Sequence, residues 1–327
     1  MKKIIVGLVG IIIIIAGGLV MYLYAAYPNI PPAPKITVKS TPAQIERGKY
    51  LANHVSMCMD CHSTRDFSKF SGPVVPGTRG KGGERFDKNL GFPGTFYSKN
   101  ITPYNLKNWT DGDIFRTITT GVTKTGTPLF PVMPYLDFNH MDPRDVKAII
   151  AYIRTLKPIK YENPSAKPDF PMNFIMRTIP KPYKKAKRPP EKDTVAYGKY
   201  LVTISACSDC HTPRKSGQPI QKDYLAGGMP FKMPWGTVRS ANITPDKTTG
   251  LGNWTSKDFI NYFKQFDVPA DSLPSVAKQG YNTVMPWDMY AGMKKEDLKA
   301  IFAYLQTIKP VQNTVTKFTP AKQSQAN

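Results

Sequence analysis

Two short cysteine motifs hold the residues whose types and spacing predict chemistry. They read Cys58-Met59-Asp60-Cys61-His62 and Cys207-Ser208-Asp209-Cys210-His211, and they use all four cysteines of the chain. In a Cys-x-x-Cys-His motif, the two thiols bond the vinyl groups of a porphyrin and the adjoining imidazole binds its iron. The sequence therefore predicts two covalently bound c-type haems, with His62 and His211 as iron ligands.

A structural zinc site and a redox-active dithiol are the alternatives for these cysteine pairs. Zinc sites usually have their second cysteine pair about 15 to 20 residues after the first, whereas the pairs here begin at positions 58 and 207. A redox dithiol does not require a histidine directly after its second cysteine, yet both motifs have one. Haem attachment is therefore the preferred interpretation.

A low-spin haem that transfers electrons needs a second axial ligand. Met133 and Met285 are each followed by proline and lie at matched positions after the two motifs, so they are the predicted ligands. The alternative is that both only fill the core, as most of the 13 methionines do. His140 is a minority candidate for the first haem, because it has no counterpart in the second half of the chain.

The two motifs lie within an internal repeat. Five blocks of the first half recur in the same order in the second half; one of them, residues 48–51, recurs as residues 198–201, and another, residues 145–152, recurs as residues 297–304. Such repetition indicates a duplicated domain. Each copy is expected to begin with a helix that carries Gly48 or Gly198, where the missing side chain permits close approach by the closing helix.

The periodicity of the apolar residues predicts helices at both ends of each copy, and the fold class is predicted to be all-α. The predicted order is an anchor at 1–27, a tether at 28–40, a first domain at 41–158, a basic and proline-rich linker at 159–191, a second domain at 192–311 and a disordered tail at 312–327. The charges of the linker are expected to be mainly solvated.

An apolar run from Ile4 to about Ala26 follows two lysines at the N-terminus. The run is long enough to cross a hydrocarbon layer of about 30 Å and is longer than the core of a signal peptide. Tyrosines at positions 22, 24 and 27 mark its far end, as in an aromatic belt. A single-pass signal anchor with the remaining chain translocated is predicted, and cleavage near Ala26 is the alternative.

The chain is strongly basic, with a formal net charge of +22. Such a charge can steer association with an acidic protein or with anionic lipid. Nucleic acid is excluded as a partner because the lysines are spread along the chain and no nucleic-acid-binding motif is present.

Taken together, these blocks make the chain similar to the cytochrome c subunits of membrane-bound alcohol, gluconate and aldehyde dehydrogenases. The resemblance covers about Thr41 to Val311 and rests on the haem motif, residues 96–103, residues 109–114, Met133-Pro134-Tyr135 and residues 148–156. It implies two tandem class I cytochrome c domains with histidine and methionine ligands in a bacterial periplasm. It also implies a dehydrogenase subunit as electron donor, and a terminal oxidase, a soluble cytochrome or quinone as acceptor.

The predicted function is that of a membrane-anchored dihaem electron carrier without catalytic residues of its own, on the periplasmic side of the bacterial inner membrane. A dihaem peroxidase is the alternative. It would need one iron with an open or displaceable sixth position, and the sequence offers no distal histidine or glutamate for it. A scaffold that merely contains haem is a third possibility, which leaves the matched methionines unexplained.

Overall fold

The N-terminal helix stands apart from the rest of the fold. The structure, a computed structural model, describes residues 1–277 and 280–321. Helix α1 (Lys2–Ala26) has no buried residue and is long and apolar enough to cross a membrane. Its 25 residues extend about 37 Å at 1.5 Å per residue. The predicted helix is confirmed, while its retention as an anchor stays a prediction.

The first copy of the repeat consists mainly of short helices around the first cysteine motif. Its elements in chain order are α2 (Pro42–Tyr50), α3 (Cys58–Cys61), β1 (Arg85–Phe86), β2 (Gly94–Tyr97), α4 (Pro103–Leu106), α5 (Asp111–Thr120), α6 (Tyr135–Phe138) and α7 (Pro143–Ile153). A π-helical turn at Leu51–Val55 continues α2, and a 3-10 turn lies at Lys88–Leu90.

The linker and the second copy follow. The linker contains β3 (Lys167–Pro168), α8 (Met172–Ile175) and a 3-10 turn at Met176–Thr178. The second copy contains α9 (Thr194–Ile204), α10 (Cys207–His211), β4 (Arg214–Lys215), β5 (Gln218–Pro219), β6 (Pro230–Met233), β7 (Gly236–Arg239), α11 (Ser256–Lys264), α12 (Trp287–Ala291), α13 (Lys295–Leu305) and β8 (Phe318–Pro320). Its 3-10 turns lie at Gln221–Asp223 and Ala270–Ser272.

The first and last long helices of each copy cross at a glycine, as the sequence predicted. A Cβ atom built on Gly48 would lie 1.8 Å from the carbonyl oxygen of Ala148 in α7. A Cβ atom on Gly198 would lie 1.9 Å from the carbonyl oxygen of Ala300 in α13. Only glycine allows these backbones to touch, so the two helices of each copy form one rigid pair.

Short antiparallel strands accompany the helices, so the all-α prediction is not confirmed. Strands β1, β2 and β3 form one sheet, β6, β7 and β8 form another, and β4 pairs with β5. Gly94 begins β2 and Gly236 begins β7, the central strands of the two sheets, with positive φ angles of 138° and 148°. Gly94 packs against β3, and Gly236 packs against β8. Strands of two to four residues are too short to show an alternating pattern in the sequence.

The sequence predicts a disordered C-terminal tail, whereas the structure shows a strand within it. Residues 318–320 pair with β7, just as β3 of the linker pairs with β2. Asn100 Nδ2 donates to the carbonyl of Ile159 at 2.8 Å, and Asn242 Nδ2 donates to the carbonyl of Val311 at 2.7 Å. The segment after each closing helix is therefore part of the repeat, and residues 322–327 lie outside the described residues.

The lysines of the basic linker at positions 181, 184, 185 and 187 are exposed, as the sequence predicted, but two other side chains of the linker are bonded to the first copy. Arg188 forms an ion pair with Asp145 of α7, at 2.9 Å between Nη1 and Oδ1. The Tyr183 hydroxyl donates to the carbonyl of Met141 at 2.6 Å. The carboxylate of Asp145 is buried and also pairs with Arg47 of α2 at 3.0 Å, so Arg188 is its second cationic partner.

The two copies pack together through a reciprocal pair of hydrogen bonds. The Tyr50 hydroxyl donates to Asp297 Oδ2 at 2.5 Å, and the Tyr200 hydroxyl donates to Asp145 Oδ2 at 2.8 Å. These residues are equivalent in the repeat, so the interface has approximate two-fold symmetry. Buried apolar side chains of both copies also belong to one cluster. The division into two tandem domains therefore stays a prediction.

Candidate haem-binding sites

The two motif histidines have the same environment in both copies. Nδ1 of His62 lies 2.6 Å from the carbonyl oxygen of Lys99, and Nδ1 of His211 lies 2.7 Å from that of Ala241. Since a carbonyl only accepts, each Nδ1 must carry the proton and donate it. Burial lowers the pKa of both histidines, which favours neutral rings. Each Nε2 is thus left with a free lone pair, as iron coordination requires.

Two glycines that the sequence analysis missed position these histidines. The backbone amide of Gly82 donates to the carbonyl of His62 at 2.8 Å, and that of Gly227 donates to the carbonyl of His211 at 2.7 Å. Both glycines have positive φ angles, 71° and 73°. A Cβ atom on either would lie about 2.5 Å or less from the carbonyl group that accepts from the histidine. The signal in the sequence was a pair of adjacent glycines after each motif.

The four cysteines lie on two single-turn helices, α3 and α10, and form no disulfide. Residues three apart on a helix point to the same side, so both thiols of each motif face one surface next to the histidine. Met57 and Ala206 precede the motifs in the left-handed conformation, with φ angles of 52° and 51°. Among residues 1–277 and 280–321, no three His, Cys, Asp or Glu side chains cluster as a metal site would require, which argues against the zinc alternative.

The methionines at matched positions fall into two kinds. Met133 and Met285 are half-buried, and each begins the segment that leads into α6 or α12. Met141 and Met293 are buried, at 0% and 1% exposure, and fill the core. A partly accessible thioether beside the core suits a ligand that reaches a bound group. The assignment of Met133 and Met285 as ligands stays a prediction.

The two remaining histidines are engaged elsewhere. His140 is exposed, and its Nδ1 lies 3.1 Å from the carbonyl oxygen of Leu136 in its own segment. His54 is half-buried, and its Nδ1 lies 3.0 Å from the carbonyl of Met289 in the other copy. A Cβ atom on Gly292 would clash with the His54 ring. This contact explains why the second copy has glycine at the position of His140.

A carboxylate inside each motif forms an ion pair that the sequence analysis also missed. Asp60 pairs with Arg65 at 3.1 Å, and Asp209 pairs with Arg214 at 2.7 Å. The signal was the shared spacing Cys-x-Asp-Cys-His-x-x-Arg. In addition, burial and the neighbouring Asp209 raise the pKa of Asp137, in α6 of the first copy, well above its ordinary value. The second motif therefore lies against the first copy.

Tyr290, in α12, lies beside the second motif. Its hydroxyl donates to the carbonyl of Ser205 at 2.8 Å, and burial raises the pKa of Tyr290 well above its ordinary value. The carbonyl of the preceding Met289 lies 3.0 Å from Nδ1 of His54, four residues before the first motif. Helix α12 therefore lies at the boundary between the two copies.

A buried donor fits a haem carboxylate. The indole N–H of Trp235 is buried and has no acceptor within the described part of the chain. An unpaired buried donor is unfavourable, and a haem propionate is an acceptor that would satisfy it. By contrast, the amide groups of Asn100 and Asn242 are used within their own loops.

Comparison with known proteins finds cytochrome c relatives over most of the chain, and a family model over its second half. Residues 195–309 match the family model of cytochrome c. The cytochrome c subunit of alcohol dehydrogenase (quinone) from Gluconacetobacter polyoxogenes is 28% identical over 300 residues, which are 85% of this chain and 58% of that protein. The fructose dehydrogenase cytochrome subunit of Gluconobacter japonicus is 32% identical over 235 residues, 67% of this chain and 44% of that protein.

A third relative has about the length of this chain. The diheme cytochrome c-type protein of Cereibacter sphaeroides is 27% identical over 268 residues, 78% of this chain and 83% of that protein. By contrast, the chain spans 58% of the alcohol dehydrogenase subunit. None of these three relatives is named as a peroxidase, so the peroxidase alternative receives no support from them. From these matches and the two haem motifs, we conclude that the second copy, residues 195–309, belongs to the cytochrome c family and that the chain is similar to cytochrome c subunits over most of its length.

Proposed function

We propose that this chain is a membrane-anchored dihaem cytochrome c that relays electrons from a dehydrogenase partner to an acceptor in the respiratory chain. The observation that carries the proposal is the matched pair of histidines, each with Nδ1–H bonded to a carbonyl and Nε2 free. Two such centres in one chain suit electron relay, because neither needs to bind a substrate.

The residues of the chain would hold and tune the two haems. The thiols of Cys58 and Cys61, and likewise of Cys207 and Cys210, would form the covalent bonds; His62 and His211 would bind the irons. Met133 and Met285 would be the second ligands. Bound haem c supplies a one-electron couple, and a thioether ligand favours its reduced form. The carbonyls of Lys99 and Ala241 would keep each imidazole in one tautomer and orientation.

The relatives and α1 support the proposed partners and location. Relatives that are named as subunits of alcohol and fructose dehydrogenases support a dehydrogenase as donor. A terminal oxidase, a soluble cytochrome or quinone would be the acceptor. Helix α1 would cross the bacterial inner membrane once, with both haem sites on the periplasmic side. The net charge of +22 would favour an acidic docking surface on the partner.

Volume-conserving methionine variants test this function. Met133→Leu and Met285→Leu each remove one thioether and should each leave one of two haems able to bind carbon monoxide, with a lowered reduction potential. Met141→Leu and Met293→Leu are matched controls and should leave both potentials unchanged. A haem-to-protein ratio near one, or carbon monoxide binding by the unsubstituted protein, would contradict the proposal.

A further inference from the structure

One stretch of the linker exposes large apolar side chains. We call residues 170–177 the interface segment; it comprises Phe170-Pro171, helix α8 and the first residues of the following turn. Phe170 is 83% exposed and Ile175 is 46% exposed. Phe170 packs edge-on against Phe174, with ring centroids 6.1 Å apart. An apolar cluster of this kind beside a polar linker marks a binding surface.

The interface segment is attached to the end of α1. The Arg177 guanidinium lies 4.3 Å from the ring centroid of Tyr24 and donates to the carbonyls of Tyr24 and Tyr27. The Tyr24 ring also meets Phe174 edge-on, at 6.2 Å. Carbonyls in the last turn of a helix have no partner within the helix, and Arg177 supplies one. The segment is thereby held at the level of the last turn of α1.

This attachment determines where the segment lies if α1 crosses a membrane. The last turn of α1 would then be at the outer boundary of the hydrocarbon layer, where its tyrosines form an aromatic belt. Four exposed lysines follow the segment, at positions 181, 184, 185 and 187. We propose that the interface segment inserts Phe170 and Ile175 into the headgroup boundary of the bilayer that α1 crosses. The lysines would lie over anionic lipid headgroups.

This inference rests on the membrane anchor of the proposed function. The interface segment would be a second membrane contact, which fixes the orientation of the haem domains. A single membrane contact through α1 would leave these domains free to tilt and rotate above the bilayer. Two contacts, one through α1 and one through the interface segment, hold the first copy at a defined height and rotation. Such an arrangement would present the same face of the protein to every membrane-bound partner.

Site-directed spin labelling of the full haem-loaded chain tests the inference. Because the four native cysteines are used by the haems, Ile175→Cys carries the only reactive thiol and accepts one nitroxide label. Leu19→Cys in α1 reports on the anchor, and Val268→Cys, at an exposed site in the second copy, is the aqueous control. Each variant is placed in vesicles of phosphatidylcholine and phosphatidylglycerol. Power saturation then compares collision with oxygen, which concentrates in lipid, and with a water-soluble nickel chelate.

The three labels distinguish failure of the membrane contact at residues 170–177 from failure of the α1 anchor. Labels at 19 and 175 should both give a positive depth parameter, with oxygen access exceeding nickel access, whereas the label at 268 should give a negative one. A positive value at 19 with a negative value at 175 would overturn the inference and leave the anchor intact. Negative values at both positions would overturn both. A label at 175 that neither reagent reaches, in detergent or in vesicles, would mean that protein covers the segment, which also overturns it.

Discussion

The Ser71 hydroxyl donates a hydrogen bond of 2.7 Å to the carbonyl oxygen of Met285, across the boundary between the two copies. The same hydroxyl accepts from the backbone amide of Trp287 at 2.8 Å, and the Ser71 amide donates to Asn282 Oδ1 at 2.9 Å. Ser71 is fully buried. Its counterpart in the second copy, Ser216, lies exposed in a turn. The loop of Met285 is therefore held by the other copy.

Ser71→Ala is expected to weaken the bond from Met285 to iron. The substitution removes both hydrogen bonds of the Ser71 hydroxyl, while the Trp287 amide keeps its bond of 2.9 Å to the Met285 carbonyl, so the cost should be about 0.5–1.5 kcal/mol. Imidazole should then displace the methionine at a roughly 2- to 13-fold lower concentration. The measurement is the loss of the absorption band of methionine-bound ferric haem during an imidazole titration. Ser216→Ala is the matched control; if both variants behave alike, the cross-copy contact does not support the ligand.

Tyr50→Phe is expected to destabilise the protein more than Tyr200→Phe. Each variant removes a donor to a buried carboxylate, Asp297 or Asp145, and should lower the free energy of unfolding by about 1–3 kcal/mol. The loss should be larger for Tyr50→Phe, because Asp145 keeps its ion pairs with Arg47 and Arg188, whereas no other side chain of the described residues bonds to Asp297. Denaturant unfolding measures both. An equal loss, or a larger one in Tyr200→Phe, would contradict this expectation.

Gly48→Ala and Gly198→Ala are expected to be among the most damaging single substitutions. The added methyl group would lie within 2 Å of a carbonyl oxygen in the closing helix, so the helices must separate. Overpacking of this kind costs about 1–3 kcal/mol and here should reach the upper end of that range. The measurement is the midpoint of thermal unfolding. Lys49→Ala and Lys199→Ala alter exposed neighbours on the same helices and should shift the midpoint little.

The stability of the protein is expected to fall on mild acidification because of His54. Burial lowers the pKa of His54 below its usual 6.5, although the hydrogen bond to Met289 acts in the opposite direction. A lowered pKa in the folded state means that the unfolded chain takes up the proton first. The contribution of His54 to the free energy of unfolding is therefore fully present above about pH 6.5. It is lost as the pH falls through the pKa of His54 in the folded state.

Two histidine variants test this dependence. His54→Gln should flatten the decline of the free energy of unfolding between pH 7.5 and pH 5.5, as measured with denaturant at each pH. His140→Gln changes an exposed histidine and should keep the decline of the unsubstituted protein. An unchanged decline in His54→Gln would show that another group is responsible.

The chemistry of the sites and the main helices could be predicted because their signals are local. The Cys-x-x-Cys-His motif lies on one helical turn, and the periodicity of Val146, Ile149 and Ile150 describes a helix by itself. Gly48 predicted a close helix contact because a single residue type permits it. The strands were not predicted, since β3 and β8 contain two and three residues and are stable only against β2 and β7.

The sequence by itself determined two haem motifs, a duplicated unit and an apolar N-terminal helix, because each is written in neighbouring residues or in repetition. Only the tertiary structure decided which carbonyl orients each histidine, that Ser71 holds the loop of Met285, and that Arg177 joins the linker to α1. These contacts join residues that are 30 to 214 positions apart. Their pairing depends on how the helices and loops pack, and packing leaves no periodic signal in the chain.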